Sequence, residues 1–349
     1  MSALVVIRVH SQSYFNQLDS IKVISSAVAI QNDTIYTAGD MWNDQVRAVN
    51  ISRHKMNGDL IGHDTLSTSS EFSTAPKIFS DDNNNIYISS TFSDVYPFDN
   101  YTWDILLTKY KNQFQWTQMY GGNVTEQPNG ILEIDNYVYL SATTNSFGSG
   151  FGDFYLIKTD TNGNVIWENT YGSSKNEIAW SIASTQNGNL LLSGHKNINS
   201  PDWDIYLVMV DTAGNLLWEK NYGTSMNDYG GLAISTNDHS FIVYRNVNEG
   251  NGGNTVGNVE KLDGKGNIIW SKNFPNNTLS SFSWAKPIEN RDGTFLVTAS
   301  VKNSNDKMIG KIYKLDPFGN TIWTKEYYTN PNTSQYIYDI KLLRIVVMC

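Results

Sequence analysis

An all-β fold, a β-propeller of four-stranded blades, is what the sequence predicts. Tryptophans recur at near-constant spacing: Trp116, Trp167, Trp218, Trp270 and Trp323 lie 51, 51, 52 and 53 residues apart. The last four close the same word: Gly163-Asn-Val-Ile-Trp167, Gly214-Asn-Leu-Leu-Trp218, Gly266-Asn-Ile-Ile-Trp270 and Gly319-Asn-Thr-Ile-Trp323. Between them run short alternating apolar and polar segments rich in Ile, Val, Tyr and Thr, punctuated by Asn, Asp and Gly. A period of about 50 residues built from short strands and tight turns is the pattern of propeller blades.

Each strand of the unit has its own cue. First and second strands are Glu177–Thr185 and Asn189–Gly194, joined at Asn187-Gly188. Matching hairpin turns are Asn32-Asp33, Asp81 to Asn85, Asp135-Asn136, Asn237-Asp238 and Asp292-Gly293. The third strand recurs from Asp104, Asp153, Asp204 and Lys311, and the fourth carries the tryptophan. Asp-x-x-Gly between them is turn chemistry, because Asp bonds locally and Gly tolerates positive φ.

Counting hairpins gives blades near 21–64, 73–119, 127–170, 178–221, 229–273 and 283–326. In the first of these, Ile61 stands at the tryptophan position. A leftover at 335–349 begins a seventh unit, and the apolar run within 3–10 is available to pair with it. The expectation is therefore one domain over 1–349 with seven blades, the last closed by the N-terminal strand, residues 4–9 beside 336–343. Closure removes exposed sheet edges. The alternative is a ring of six. For Met1 to Ser13 a second reading is the tail of a clipped secretion signal, although its apolar core is short and lacks a basic start.

The bulk numbers narrow the function class. Of 349 residues only 17% are charged, and the net charge is −9. Nucleic acid is an unsuitable partner, since phosphates require a basic face. No apolar run approaches a membrane-spanning helix. The single cysteine, Cys349, allows neither a disulfide framework nor a thiolate metal site. A surface that is polar but sparsely charged points to the cell surface or extracellular space.

The words Asp160-Thr-Asn-Gly163-Asn-Val-Ile-Trp167-Glu-Asn-Thr-Tyr171-Gly172, Glu177-Ile-Ala-Trp-Ser-Ile182 and Asn187-Gly-Asn-Leu-Leu-Leu-Ser-Gly194 resemble the repeats of bacterial secreted and cell-surface β-propeller proteins. The Asp-x-x-Gly-x-x-x-Trp core is also similar to the tryptophan-docking motif of quinoprotein (PQQ-type) dehydrogenases and of the outer-membrane assembly lipoprotein propeller. Their usual spacing is one residue longer. The resemblance covers roughly residues 20–343 and implies fold more than function.

Three groups of residues are candidates for function. The tryptophan series Trp116, Trp167, Trp218, Trp270 and Trp323 is read as a buried girdle packed between blades, because packing demands equivalent positions and a binding site is local. Ten residues after each tryptophan position come Glu71, Glu126, Glu177, Asp228, Ser280 and Thr333. Acids there could hold a cation such as Ca²⁺; alternatively each caps its own loop, which Ser and Thr also do. The third group breaks the repeat. Loops from second to third strands, 91–103, 145–152, 197–203 and 246–255, bring Tyr96, Phe98, Tyr101, Trp103, Phe147, Phe151 and Trp203 beside Asp and Asn. Aromatic platforms flanked by carboxylates and amides suit a glycan or protein ligand. The alternative is that the rings fold down over the blade ends.

Catalysis has little support. His10, His54, His63, His195 and His239 form no His-x-x-His or His-Glu-x-x-His pair, and no Gly-x-Ser-x-Gly elbow occurs. Nothing singles out a set of groups for a PQQ-type quinone. The expectation is a non-catalytic binding propeller. Its rivals are a quinoprotein-like oxidoreductase or glycan-cleaving propeller, and a structural module of a larger surface protein.

Overall fold

The computed structural model describes residues 3–5, 22–42, 47–66, 74–93, 102–199, 202–248, 255–274, 285–305, 307–327, 332, 334, 337 and 340–343. It contains six four-stranded antiparallel sheets, each with its strands in chain order. The first three blades are Lys22–Gln31, Thr34–Trp42, Arg47–Lys55, Leu60–Leu66; Thr74–Ser80, Ile86–Phe92, Asp104–Lys111, Gln113–Tyr120; and Glu126–Ile134, Tyr137–Thr144, Asp153–Asp160, Val165–Tyr171. The next three are Glu177–Ser184, Leu190–Asn199, Asp202–Val210, Leu216–Tyr222; Tyr229–Ser235, Phe241–Asn248, Thr255–Leu262, Ile268–Asn273; and Ile288–Glu289, Phe295–Lys302, Met308–Leu315, Thr321–Tyr327. The fold is a six-bladed β-propeller. Among the described residues there is no seventh four-stranded blade: Ala3–Val5 and Lys341–Leu343 pair with each other in a separate two-stranded sheet. Two short segments supply too few ladder positions for a four-stranded blade.

The chain divides into two compact units, 1–171 with 343–349, and 172–342. Within each, side chains alternate along the strands and pack blade against blade. In the first unit Ala29, Val49 and Ile51 meet Ile78, Ile86 and Ile88, while Tyr87, Ile105 and Leu107 meet Ile131, Leu140 and Ile157. In the second unit Leu191, Ile205 and Leu207 meet Phe241 and Val243, and Ile242 and Tyr244 meet Phe295 and Val297. Burial of such apolar area contributes roughly 25 cal/mol per Å².

The Asp-x-x-Gly turns have one chemistry four times. Asp160 Oδ1 accepts the N–H groups of Asn162 and Asn164, and its Oδ2 accepts the Asn164 amide. Asp211, Asp263 and Asp316 repeat all three bonds, accepting the N–H groups of Ala213, Lys265 and Phe318 and both the N–H and the side-chain amide of Asn215, Asn267 and Asn320. Gly163, Gly214, Gly266 and Gly319 have φ between +76° and +86°, a region costly for residues with a Cβ. Among the hairpins, Asn32-Asp33 and Asp135-Asn136 hold two consecutive positive φ values, as a type I′ turn requires. In the fifth blade that conformation falls on His239 instead of Asn237 or Asp238.

The tryptophans lie on the fourth strands at equivalent register, as expected, but are half-buried rather than buried, and Trp323 is 38% exposed. The fourth strand is the edge of its sheet, so one ring face meets protein and the other meets solvent. The first blade corrects a second expectation. Every fourth strand skips one residue against its third: Lys158 pairs with Trp167 and Thr159 with Val165. In the first blade Arg53 pairs with Gly62 and His54 with Leu60. Gly62, not Ile61, therefore holds the tryptophan position. Ile61 is the skipped residue, 51% exposed like Ile166. The Arg53 guanidinium lies against Gly62, in the space a ring would take, and pairs with Asp64 at 3.4 Å.

Candidate functional site

In the first unit the loop-bearing end of the third blade is pinned by buried carboxylates. Glu126 is fully buried; Oε2 accepts the Gly122 N–H at 3.0 Å and Oε1 accepts the Thr144 hydroxyl at 2.8 Å. Thr144 Oγ1 in turn accepts the N–H groups of Ser146 and Phe147. Asp153 Oδ2 accepts those of Ser149 and Gly150, and Asn145 donates its amide to the Phe151 carbonyl at 2.5 Å. Val124 N–H donates to Ser146 Oγ, and Asn145 N–H to the Thr125 carbonyl. On this fixed frame Phe151 is 80% exposed, Phe147 is 38% exposed with its ring 5.5 Å from Tyr155, and Val124 is also exposed. Trp103 is half-buried, and its backbone bonds Val124 and Glu126. Tyr96, Phe98 and Tyr101 lie outside the described residues.

The second unit brings the expected Trp203 and Asp228 together with residues that the sequence did not single out. His195 is buried, with Trp203, Tyr229 and Trp180 around it at ring-centroid distances of 5.0, 5.6 and 5.7 Å. The Trp180 indole N–H donates to His195 Nδ1 at 2.9 Å, which leaves the proton on Nε2. Burial pushes the imidazole down to about 4, opposed by a hydrogen bond with the Gly230 backbone. This histidine is neutral floor beneath three half-buried aromatic rings. Beside Trp203, Asp202 and Asp204 each keep a buried Oδ1 with no hydrogen-bond donor among the described residues. Burial first, then the charges of Asp202 and Asp228, push the Asp204 carboxyl up to about 6, and Arg245 acts in the other direction. Arg245 donates to Glu260 at 2.7 Å and lies 3.8 Å from the fully buried Asp228.

Two members of the acid series cap loop backbone. Glu126 and Asp228 accept the backbone N–H groups of Gly122 and Thr224. Glu177, fully buried, accepts from the Ser173 hydroxyl and pairs with Lys196 at 3.2 Å. Glu71, Ser280 and Thr333 lie outside the described residues. No group of three His, Cys, Asp or Glu among the described residues is placed to hold a metal ion. Arg245 was discoverable: a charge inside the apolar run Phe241-Ile-Val-Tyr-Arg needs a buried partner. Trp180 and His195 carried no comparable signal.

A six-bladed propeller with loops elaborated on one end of its blades is the class that fold and site define. No family model matches the chain, and no curated protein matches its sequence. Solved structures do match in shape. A Penicillium chrysogenum α-L-arabinanase complexed with arabinobiose is 10% identical, with 91% of this chain and 99% of that one covered and a TM-score of 0.58. A Synechocystis apocarotenoid oxygenase mutant is 9% identical over 93% of this chain and 75% of its own, with a TM-score of 0.57. A Streptococcus pneumoniae sialidase is 8% identical over 86% and 67%, with a TM-score of 0.55. At these identities the likeness is one of fold, that of the carotenoid oxygenase, arabinanase and sialidase propellers.

Proposed function

We propose that this chain is a non-catalytic binding propeller of the cell surface or extracellular space that captures a glycan through its second-to-third-strand loops. The observation that carries the reading is Phe151, 80% exposed on a loop whose backbone is held by Asn145, Thr144 and Asp153. Exposing a large ring to water has no folding benefit, and a pre-ordered loop loses little entropy on binding. The half-buried Trp203 beside donor-less oxygens of Asp202 and Asp204 has the same character. Flat apolar faces next to free acceptors complement a sugar, which offers C–H faces and hydroxyl donors. The low charged fraction, 17%, supports the extracytoplasmic setting.

A glycan array probed with the intact chain tests this. The expected result is a defined set of bound sugars, with binding weakened about tenfold or more by Phe151→Ala. An array without hits, alongside a protein captured through the same loops, would replace the glycan by a protein ligand. Release of reducing ends during incubation would replace binding by cleavage.

A further inference from the structure

We propose that Asp204 and Asp228 form a proton-operated latch, closed when Asp204 carries a proton, between the third strand of the fourth blade and the connection into the fifth. The geometry begins at Gly223, where a Cβ would overlap the Asp204 carboxylate. The connection that starts there is tied back at its far end, where the Asp228 N–H donates to the Trp203 carbonyl at 2.6 Å. Asp228 itself is fully buried, and its Oδ2 accepts the Thr224 N–H. The connection 223–228 is thus held at both ends by Asp228 and covered by Asp204.

The first unit contains the same seat. A Cβ on Gly121 would overlap the Asp104 carboxylate and stand 2.8 Å from Glu126 Oε2. In both units a third-strand carboxylate therefore covers the glycine that opens the connection. A buried carboxylate oxygen without a donor, as at Asp204, disfavours ionisation, and a proton relieves the cost.

Arg245 pairs with Asp228, but no cation among the described residues pairs with Asp204. Lys196 is its cross-strand partner, but its ammonium pairs with Glu177 and lies 4.7 Å over the Tyr206 ring. Arg245 is bonded to Glu260 and Asn258 and stands 3.8 Å from Asp228. His195 is neutral, and Asp202 adds a like charge. Asp204 Oδ1 has no donor among the described residues. In agreement, its carboxyl is pushed up to about 6, by burial first and then by Asp202 and Asp228. A raised carboxyl stabilises the closed form below the ordinary value of 3.8 and loses that contribution as pH rises to about 6. The latch is closed in acid and loosened at neutral pH, whatever the face binds.

Hydrogen exchange of the intact protein between pH 4 and 8, corrected for intrinsic rates, tests it. Protection of the amides at 224–229 should fall roughly tenfold per pH unit from about 4 to 6 and then level. Asp204→Asn, which cannot ionise, should abolish that dependence while the amides of the third blade remain unchanged. The same profile in Asp204→Asn would overturn the latch. Should that variant not fold, the carboxyl ¹³C shift of Asp204 in the unaltered protein decides: a titration near 6 supports the latch, and one near 4 overturns it.

Discussion

Trp116 of the second blade lies against Gly163 of the third, so closely that a Cβ on Gly163 would stand 3.0 Å from the ring. Lys109, paired across from Trp116, donates to the Thr161 carbonyl of the same turn at 3.0 Å, and Tyr120 donates to the Gly163 carbonyl at 2.7 Å. In the second unit Trp218 meets Gly266, and Trp270 meets Gly319 while its indole N–H donates to the Pro317 carbonyl at 3.0 Å. In these three pairs the Gly-to-Trp word thus couples neighbours: the glycine of one blade receives the tryptophan of the blade before it.

Trp218→Ala should accordingly destabilise the protein by about 1.5–3 kcal/mol in a denaturant titration. That is below the 3–5 kcal/mol of a fully buried aromatic, because one face of the ring is already wet. Gly266→Ala should be at least as harmful, since it adds positive-φ strain to the overlap with Trp218. A harmless Gly266→Ala would refute the docking role.

Arg245→Ala should be among the most destabilising single changes in the second unit, at about 3 kcal/mol or more. It strands the carboxylates of Glu260 and Asp228, both buried. Arg245→Ala with Glu260→Ala should be less harmful than the sum of the two, a coupling that a double-mutant cycle measures.

The four turn aspartates should contribute to the loss of stability in acid. Hydrogen bonds chiefly from Asn164, Asn215, Asn267 and Asn320 hold Asp160, Asp211, Asp263 and Asp316 below the usual carboxylate range. Lowered groups stabilise the fold above the ordinary value of 3.8 and lose that contribution as pH falls through the lowered values. The melting temperature should therefore drop below about pH 4. A quadruple Asp→Ser variant should start lower at neutral pH and drop less. An unchanged acid slope would show that other carboxylates set it.

What the sequence made legible is what each blade repeats. The tryptophans, the Asp-x-x-Gly turns and the number of complete hairpins follow from local chemistry, and local chemistry is written residue by residue. The Arg53–Gly62 exchange was hidden because a one-residue skip in the fourth strand shows only in cross-strand pairing. The acids Glu126 and Asp228 were visible as a series, but their complete burial was not, since it depends on chain from the adjoining loop. Arg245 was visible as an anomaly, while its partners Asp228 and Glu260 come from other segments of the chain. The seventh blade failed as an expectation because strand-like residues near both termini do not reveal how many ladder positions they form.

Phe151 and Phe318 provide a matched test of where the binding face lies. Their exposures are 80% and 78%, so neither contributes much to the core, and replacing either by Ala should leave stability within about 0.5 kcal/mol. Phe151 sits between second and third strands, on the loop pinned by Asp153 and Asn145. Phe318 sits at the opposite strand ends, in the turn held by Asp316. Central aromatic anchors typically contribute about 2 kcal/mol or more, so Phe151→Ala should weaken glycan binding roughly tenfold or more in a titration. Phe318→Ala should leave it unchanged. The reverse pattern would move the binding surface to the turn side of the blades and refute the role given to the loops.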